Sequence, residues 1–170
     1  MGRPKIRIAK EPLDHALEKA ALLLLLITIV LTAVYYGRLP ETIPIHYNTS
    51  GDPDGFGQKT TLLVISGISL LLFGGLHYLG RFPESFNYPV KITSENAETQ
   101  YRAGLRLLRI VQLACMGLFA YITFGTIQTA LGHWNGIGRG IFWSITLGVG
   151  ALIWYSIHQS RPKQKTKPYK

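Results

Sequence analysis

The chain has 170 residues, a net charge of +9, 47% apolar residues and a single cysteine. One cysteine excludes an internal disulfide and a cysteine metal cluster. The length would suit one soluble domain, but the apolar residues are gathered into runs that leave a soluble helix no polar face toward water.

In chain order, residues 1–19 form a short segment with five Lys/Arg and three acids, Glu11, Asp14 and Glu18. Pro12 interrupts it, and Leu13 to Lys19 is expected to run on into a helix. Four stretches then lack Asp, Glu, Lys and Arg: 20–37, 60–80, 110–138 and 140–160. A bilayer core needs roughly 20 mainly apolar residues per helix, so four spans are expected, at about 20–37, 60–80, 109–131 and 140–158. The first is not read as a signal peptide. Its apolar part is too long, its basic flank carries acids, and no A-x-A-like cleavage site follows. Cys115 falls in the third span and is expected to pack as a small apolar residue.

Between the spans, the loop 38–59 carries Pro40, Pro44 and Pro53 with Gly51, Gly55 and Gly57, a density that forbids a long helix and favours tight turns. The alternation Ile43, Ile45, Tyr47 suggests a short extended piece there. Asp54 and Lys59 are close enough in sequence to pair across the glycines. The loop 81–108 should be irregular over Pro83 to Pro89. It should then become helical from Thr93 or Ser94, with Glu95 and Glu98 in the first turns, and run into span three. Residues 161–170 form a basic tail. In the bilayer, Gly140, Ser144 and Gly148 give span four a small-residue stripe, and Gly67 and Gly75 share a face of span two. Such stripes serve internal packing or a homo-oligomer, and the sequence leaves that choice open.

Fifteen Lys/Arg fall on one side of these spans (residues 1–19, 81–109 and 161–170) and three on the other. Lys and Arg resist translocation, so both termini and the loop 81–108 are expected in the cytoplasm, at the cell membrane. The basic charge is thereby accounted for without nucleic acid. The architecture is that of an all-α membrane protein with a Pro/Gly-rich extracytoplasmic loop after the first helix. No span carries a deep Asp, Glu, Lys or Arg, which disfavours proton relays and ion pumps. His77 and His158 fall near cytoplasmic span ends. Arg102, Arg106 and Arg109 share one helix face by spacings of four and three. Glu95 and Glu98 lie too early to neutralise the whole stripe, so it is expected to meet anionic lipid or a partner.

The loop 38–59 also carries a pattern, Leu-Pro-x-x-Ile-Pro-x-His-x-Asn-x-x-Gly-x-x-Asp-x-x-x-x-Lys. It falls on Leu39, Pro40, Ile43, Pro44, His46, Asn48, Gly51, Asp54 and Lys59. Set after a first membrane span, it resembles the domain-of-unknown-function family sixteen forty-eight, which includes the SdpI-type immunity proteins. Asn87-Tyr-Pro-Val and Asn96-Ala-Glu-x-x-Tyr-Arg102 also look like members with this layout. The resemblance implies a bacterial-type membrane protein. SdpI-type proteins, which are longer, imply immunity to a toxin with signalling to a repressor.

Three readings of the loop stay open. It is a structural cap, a recognition site for an external peptide toxin or lipid, or a metal or catalytic site. For the last, His46, Asp52 and Asp54 would supply one nitrogen and two carboxylates. Ser50-x-Asp52-x-Asp54-Gly55 echoes the start of an EF-hand loop, but its twelfth position would be Thr61 and not Glu. A single His with two Asp lacks the spacing of a zinc site. Nothing in the sequence calls for a cofactor. The leading function is a non-enzymatic sensor or protective membrane protein. The alternative is a membrane-embedded enzyme or transporter component using His46, Asp52 and Asp54.

Overall fold

The computed structural model describes residues 2–138 and, beyond them, 140, 143, 146–148, 150, 151, 153 and 154. The basic tail and most of the expected fourth span, with Ser144 and His158, lie outside the described residues. In order come α1 (Pro12–Tyr35), a 3-10 turn (Tyr36–Arg38), β1 (Thr42–Tyr47), β2 (Pro53–Gln58), α2 (Thr61–Leu79), a second 3-10 turn (Pro83–Ser85) and α3 (Ala97–Ala130).

Pro12 opens α1 rather than interrupting it. At the first helical position its missing N–H costs nothing, and its fixed φ suits the helix. The Glu11 N–H before it donates to the Asp14 carboxylate at 2.9 Å. At the far end Leu39 turns extended, as a residue before proline must, and the chain enters the hairpin. β1 and β2 are antiparallel, with Thr42 opposite Gln58, Pro44 opposite Phe56 and Tyr47 opposite Pro53; the register is irregular around His46. The chain is therefore mostly helical, but not all-α, because the extended piece finds a second strand in a segment that reads only as glycine turns.

α3 starts later than expected. Asn96, not Thr93 or Ser94, is its N-cap. The Asn96 side chain accepts the Thr93 N–H at 2.8 Å and donates to the Lys91 carbonyl at 3.0 Å, which winds 91–96 into a turn. From Ala97 the helix runs 34 residues without a break, roughly 51 Å at 1.5 Å per residue. A bilayer core of about 30 Å leaves part of it outside.

Among the described residues, three helical segments are long and apolar enough to cross a membrane: Pro12–Arg38, Thr61–Leu79 and Ala97–Ala130. Their packing is inside-out relative to a water-soluble bundle. Thr28, Thr32, Ser69, Gln112 and Thr123 are buried, while Leu23, Leu26, Val30, Val64 and Leu71 are exposed. Several of the buried polar groups bond across or along the helices. Thr32 Oγ1 lies 2.9 Å from Ser66 Oγ, Thr28 donates to the Leu24 carbonyl at 3.0 Å, and Gln112 donates to the Phe73 carbonyl at 3.0 Å. In hydrocarbon such groups must be satisfied internally, whereas the outward leucines cost nothing. This is the packing of a membrane protein.

Candidate functional site

The hairpin lies across one end of the bundle and is fixed there from three directions. Leu39 and Ile43 are buried with Leu62 of α2 and Ile127 of α3. The Tyr47 hydroxyl donates to Thr126 Oγ1 at 3.1 Å. Burial pushes the Tyr47 phenol above its ordinary pKa, with the Thr126 and Thr129 hydroxyls pulling the other way, so it stays neutral and donates. From the third side, residues 131–138 fold back after α3, and the Ile137 N–H donates to the Gly51 carbonyl at 2.8 Å. The Tyr121 hydroxyl bonds the Ile137 carbonyl.

The tight turn that makes this approach depends on Asn48 and Gly51. The Asn48 side-chain oxygen accepts the N–H groups of Ser50 at 2.8 Å and Asp52 at 3.1 Å. Gly51 has φ +84°, and a Cβ there would lie 2.7–2.9 Å from the Gly138 backbone. Two separate demands, a left-handed conformation and a close approach, therefore fix glycine at this position.

Between hairpin and helices is a cavity of about 310 Å³. Its walls include Ile43, Tyr47 and Asn48 of the hairpin, Leu62 and Ile65 of α2, and Tyr121 and Thr126 of α3. It is mostly apolar with a few hydroxyls, the usual makeup of a small binding site. Pro44 and His46 also line it, and Pro40 is exposed at the hairpin base.

The charged residues pair differently from the expectation. Asp54 does not meet Lys59. His46 Nδ1 lies 2.5 Å from Asp54 Oδ1, and both side chains are exposed. Lys59 pairs with Glu41 at 3.0 Å, reaches toward the Leu39 carbonyl at 3.4 Å and sits 5.2 Å from the centre of the Tyr36 ring. The register is the reason: the Lys59 N–H donates to the Glu41 carbonyl, so residues 41 and 59 close the hairpin base while His46 faces Gly55. Asp52 does not join His46 and Asp54. Among the described residues no three His, Cys, Asp or Glu side chains are grouped to hold a metal ion.

The arginine stripe also has protein partners, at the opposite end of the bundle. Arg102 pairs with Glu11 at 2.8 Å and with Glu98 at 3.0 Å. Arg106 pairs with Glu11 at 2.5 Å and Asp14 at 3.5 Å, and Arg109 with Asp14 at 3.1 Å and Glu18 at 2.8 Å. The acids that neutralise it come mainly from α1 and its N-cap, not from the turns just before the stripe. Their spacings of three and four mirror the arginine spacings of four and three, and α1 and α3 run in the same direction. The sequence held that signal in Glu11, Asp14 and Glu18, which read there only as acids in a basic flank. The chain before α1 completes this end. The Tyr101 hydroxyl donates to the Pro4 carbonyl at 3.0 Å, and Arg102 to that of Ala9 at 3.1 Å.

The hairpin, though not the α3 wall of the cavity, lies within the stretch that comparison with known proteins picks out. Over residues 23–70 the chain matches the family described as Domain of unknown function (DUF1648). The DUF1648 segment runs from within α1 through the hairpin into α2, so it holds every residue of the Leu39 to Lys59 pattern. The Asn87 to Arg102 stretch lies beyond it. The chain is also 35% identical over 96 residues to an uncharacterized protein of Archaeoglobus fulgidus, covering 49% of this chain and 52% of the relative. It thus spans about half the length of that relative, which is archaeal. No solved structure matches.

Proposed function

We propose that the chain is a sensor or protective membrane protein of the SdpI-like kind, with its hairpin outside the cell and both termini in the cytoplasm. The observation that carries this reading is the cavity beneath the hairpin. A purely structural cap would pack against the helix ends, whereas this one leaves a hollow of about 310 Å³ walled by hairpin, α2 and α3. An apolar side chain of a membrane-active peptide would enter it, with the Tyr47, Asn48 and Thr126 side chains offering polar contacts. Ile45 and Phe56, exposed on the hairpin, would meet the peptide or the membrane surface beside it. The DUF1648 match supports the family context but leaves the ligand open.

Deletion in the native host, followed by challenge with membrane-active peptides, tests the proposal. A sensitised strain is expected, rescued by the wild-type gene and not by Ile122→Trp, which would fill the cavity from its α3 wall, where Ile122 is a lining residue. An unchanged strain would count against protection. Reporter fusions after residues 50 and 90 should report the outside and the cytoplasm respectively.

The His46–Asp54 pair at the cavity favours a second reading, a membrane-embedded enzyme in which Asp54 orients His46 as a base. Asp52 has no place in that arrangement. Retention of protection by His46→Gln would exclude the pair as its source.

A further inference from the structure

We propose that a groove at the end of the bundle away from the hairpin holds an acyl chain of one anionic phospholipid, with Arg3 binding its headgroup. The groove has a volume of about 820 Å³ and lies between the end of α2, the 85–89 loop and the first part of α3. Leu79, Phe86, Tyr88, Leu107, Leu108 and Val111 are among its lining residues. Its floor follows α3 from Ala103 to Val111, roughly 12 Å along the helix, and so passes from the arginine-bearing turns into the stretch that lacks charges. A groove that starts at headgroup depth and ends among purely apolar residues has the polarity profile of a lipid.

Its shape is built in. Phe86 and Tyr88 stack at 6.3 Å, Tyr88 packs on the buried Tyr101 at 5.6 Å, and its hydroxyl donates to the Pro83 carbonyl at 2.8 Å. Gly104 lets both rings lie against α3, since a Cβ there would come within 3.0 Å of the Tyr88 oxygen and 3.3 Å of Phe86.

Charge selects the occupant. Arg3 lies over the Tyr88 ring at 5.7 Å and donates through Nη1 to the Glu84 and Phe86 carbonyls, so it stands at the groove wall. Among the described residues no carboxylate pairs with it, in contrast to Arg102, Arg106 and Arg109. Arg81 and Lys91, both exposed, follow the lining residues Leu79 and Pro89 by two positions. A phosphate beside Arg3 would satisfy its remaining donors. The tail 161–170 carries five Lys/Arg, so its charge has the wrong sign for the rim.

The test uses the full chain, purified in detergent and stripped of lipid, then titrated with phosphatidylglycerol or phosphatidylcholine and read by native mass spectrometry. One phosphatidylglycerol should bind in preference to phosphatidylcholine. Arg3→Gln should weaken that binding about fivefold, the equivalent of ~1 kcal/mol for one basic side chain at an anionic surface. Leu107→Trp should abolish it by filling the groove. Arg38→Gln, a basic residue at the hairpin end of the bundle, should leave it unchanged. Unfolding temperatures of the lipid-free variants report whether each one folds; should Leu107→Trp fail, Val111→Phe replaces it. Equal binding of the two lipids, or an Arg3→Gln variant that binds like wild type, would overturn the proposal. So would a dimer that Leu107→Trp turns into monomer, since a second copy would then occupy the groove.

Discussion

At the hairpin end, the bundle is closed by neutral hydrogen bonds and apolar contact around a hollow, with its charged pairs on the rim. At the other end, three arginines of α3 interleave with Glu11, Asp14 and Glu18 at the start of α1, and Asp14 among them is only 2% exposed. The difference matters because charge pairs gain strength and cost more to break as water is excluded. A closure built from neutral contacts around a hollow opens at smaller cost than one built on a buried carboxylate. The molecule therefore has one end suited to yielding to a ligand and one that holds the helices in register.

The sharpest test of that contrast is at the buried end. Asp14→Ala would take from Arg106 and Arg109 their shared buried partner, leaving each one acid, Glu11 and Glu18, and should destabilise the protein by about 2 kcal/mol, within the range for hydrogen bonds to charged groups. Thermal unfolding in detergent would measure it. The double change Asp14→Leu, Arg109→Met should lose less than the sum of the two single losses. Strict additivity would mean that the two side chains do not interact. At the hairpin end, Gly51→Ala should cost about 1–3 kcal/mol through strain and the clash with Gly138. Its effect should be local, with faster exchange of the Ile137 amide and little change around Asp14. If exchange rises equally at both ends, the two closures are not independent.

Lys59→Ala comes next. Its partner Glu41 has a side chain 87% exposed, so a Glu41–Lys59 double-mutant cycle should give a coupling of about 0–1 kcal/mol. The same cycle with Asp54 should give none, because Asp54 is turned to His46. The smallest effect belongs to that pair. His46→Ala and Asp54→Asn should each change stability by less than about 0.5 kcal/mol, as surface substitutions do. A larger loss in the unfolding midpoint would show the hairpin rim to be more rigid than its exposure implies.

The helices are largely legible in the sequence because a membrane span announces itself by what it lacks. Runs without Asp, Glu, Lys or Arg locate α1, α2 and most of α3. The Leu39 to Lys59 pattern likewise points to the stretch that forms the hairpin end of the molecule. The hairpin itself is half legible. Alternation marks β1, but β2 is Pro-Asp-Gly-Phe-Gly-Gln, whose glycines and aspartate read as turn. Only pairing with β1 makes it a strand. The expected pairing of Asp54 with Lys59 fails for the same reason, since closeness in sequence says nothing about register. Helical spacing places the arginine stripe correctly on one face, but most of its acids are about 90 residues away, beyond any local reading. The cavity is invisible in the sequence because it exists only where hairpin, α2 and α3 meet.

The bonds from Tyr101 to Pro4 and from Arg102 to Ala9 also set an order on biogenesis. Pro4 and Ala9 can take these places only once their partners, 97 and 93 residues later in the chain, have been made. Until α3 enters the bilayer, Glu11, Asp14 and Glu18 have none of its arginines beside them. A reporter or affinity tag fused ahead of Arg3 would burden that docking step.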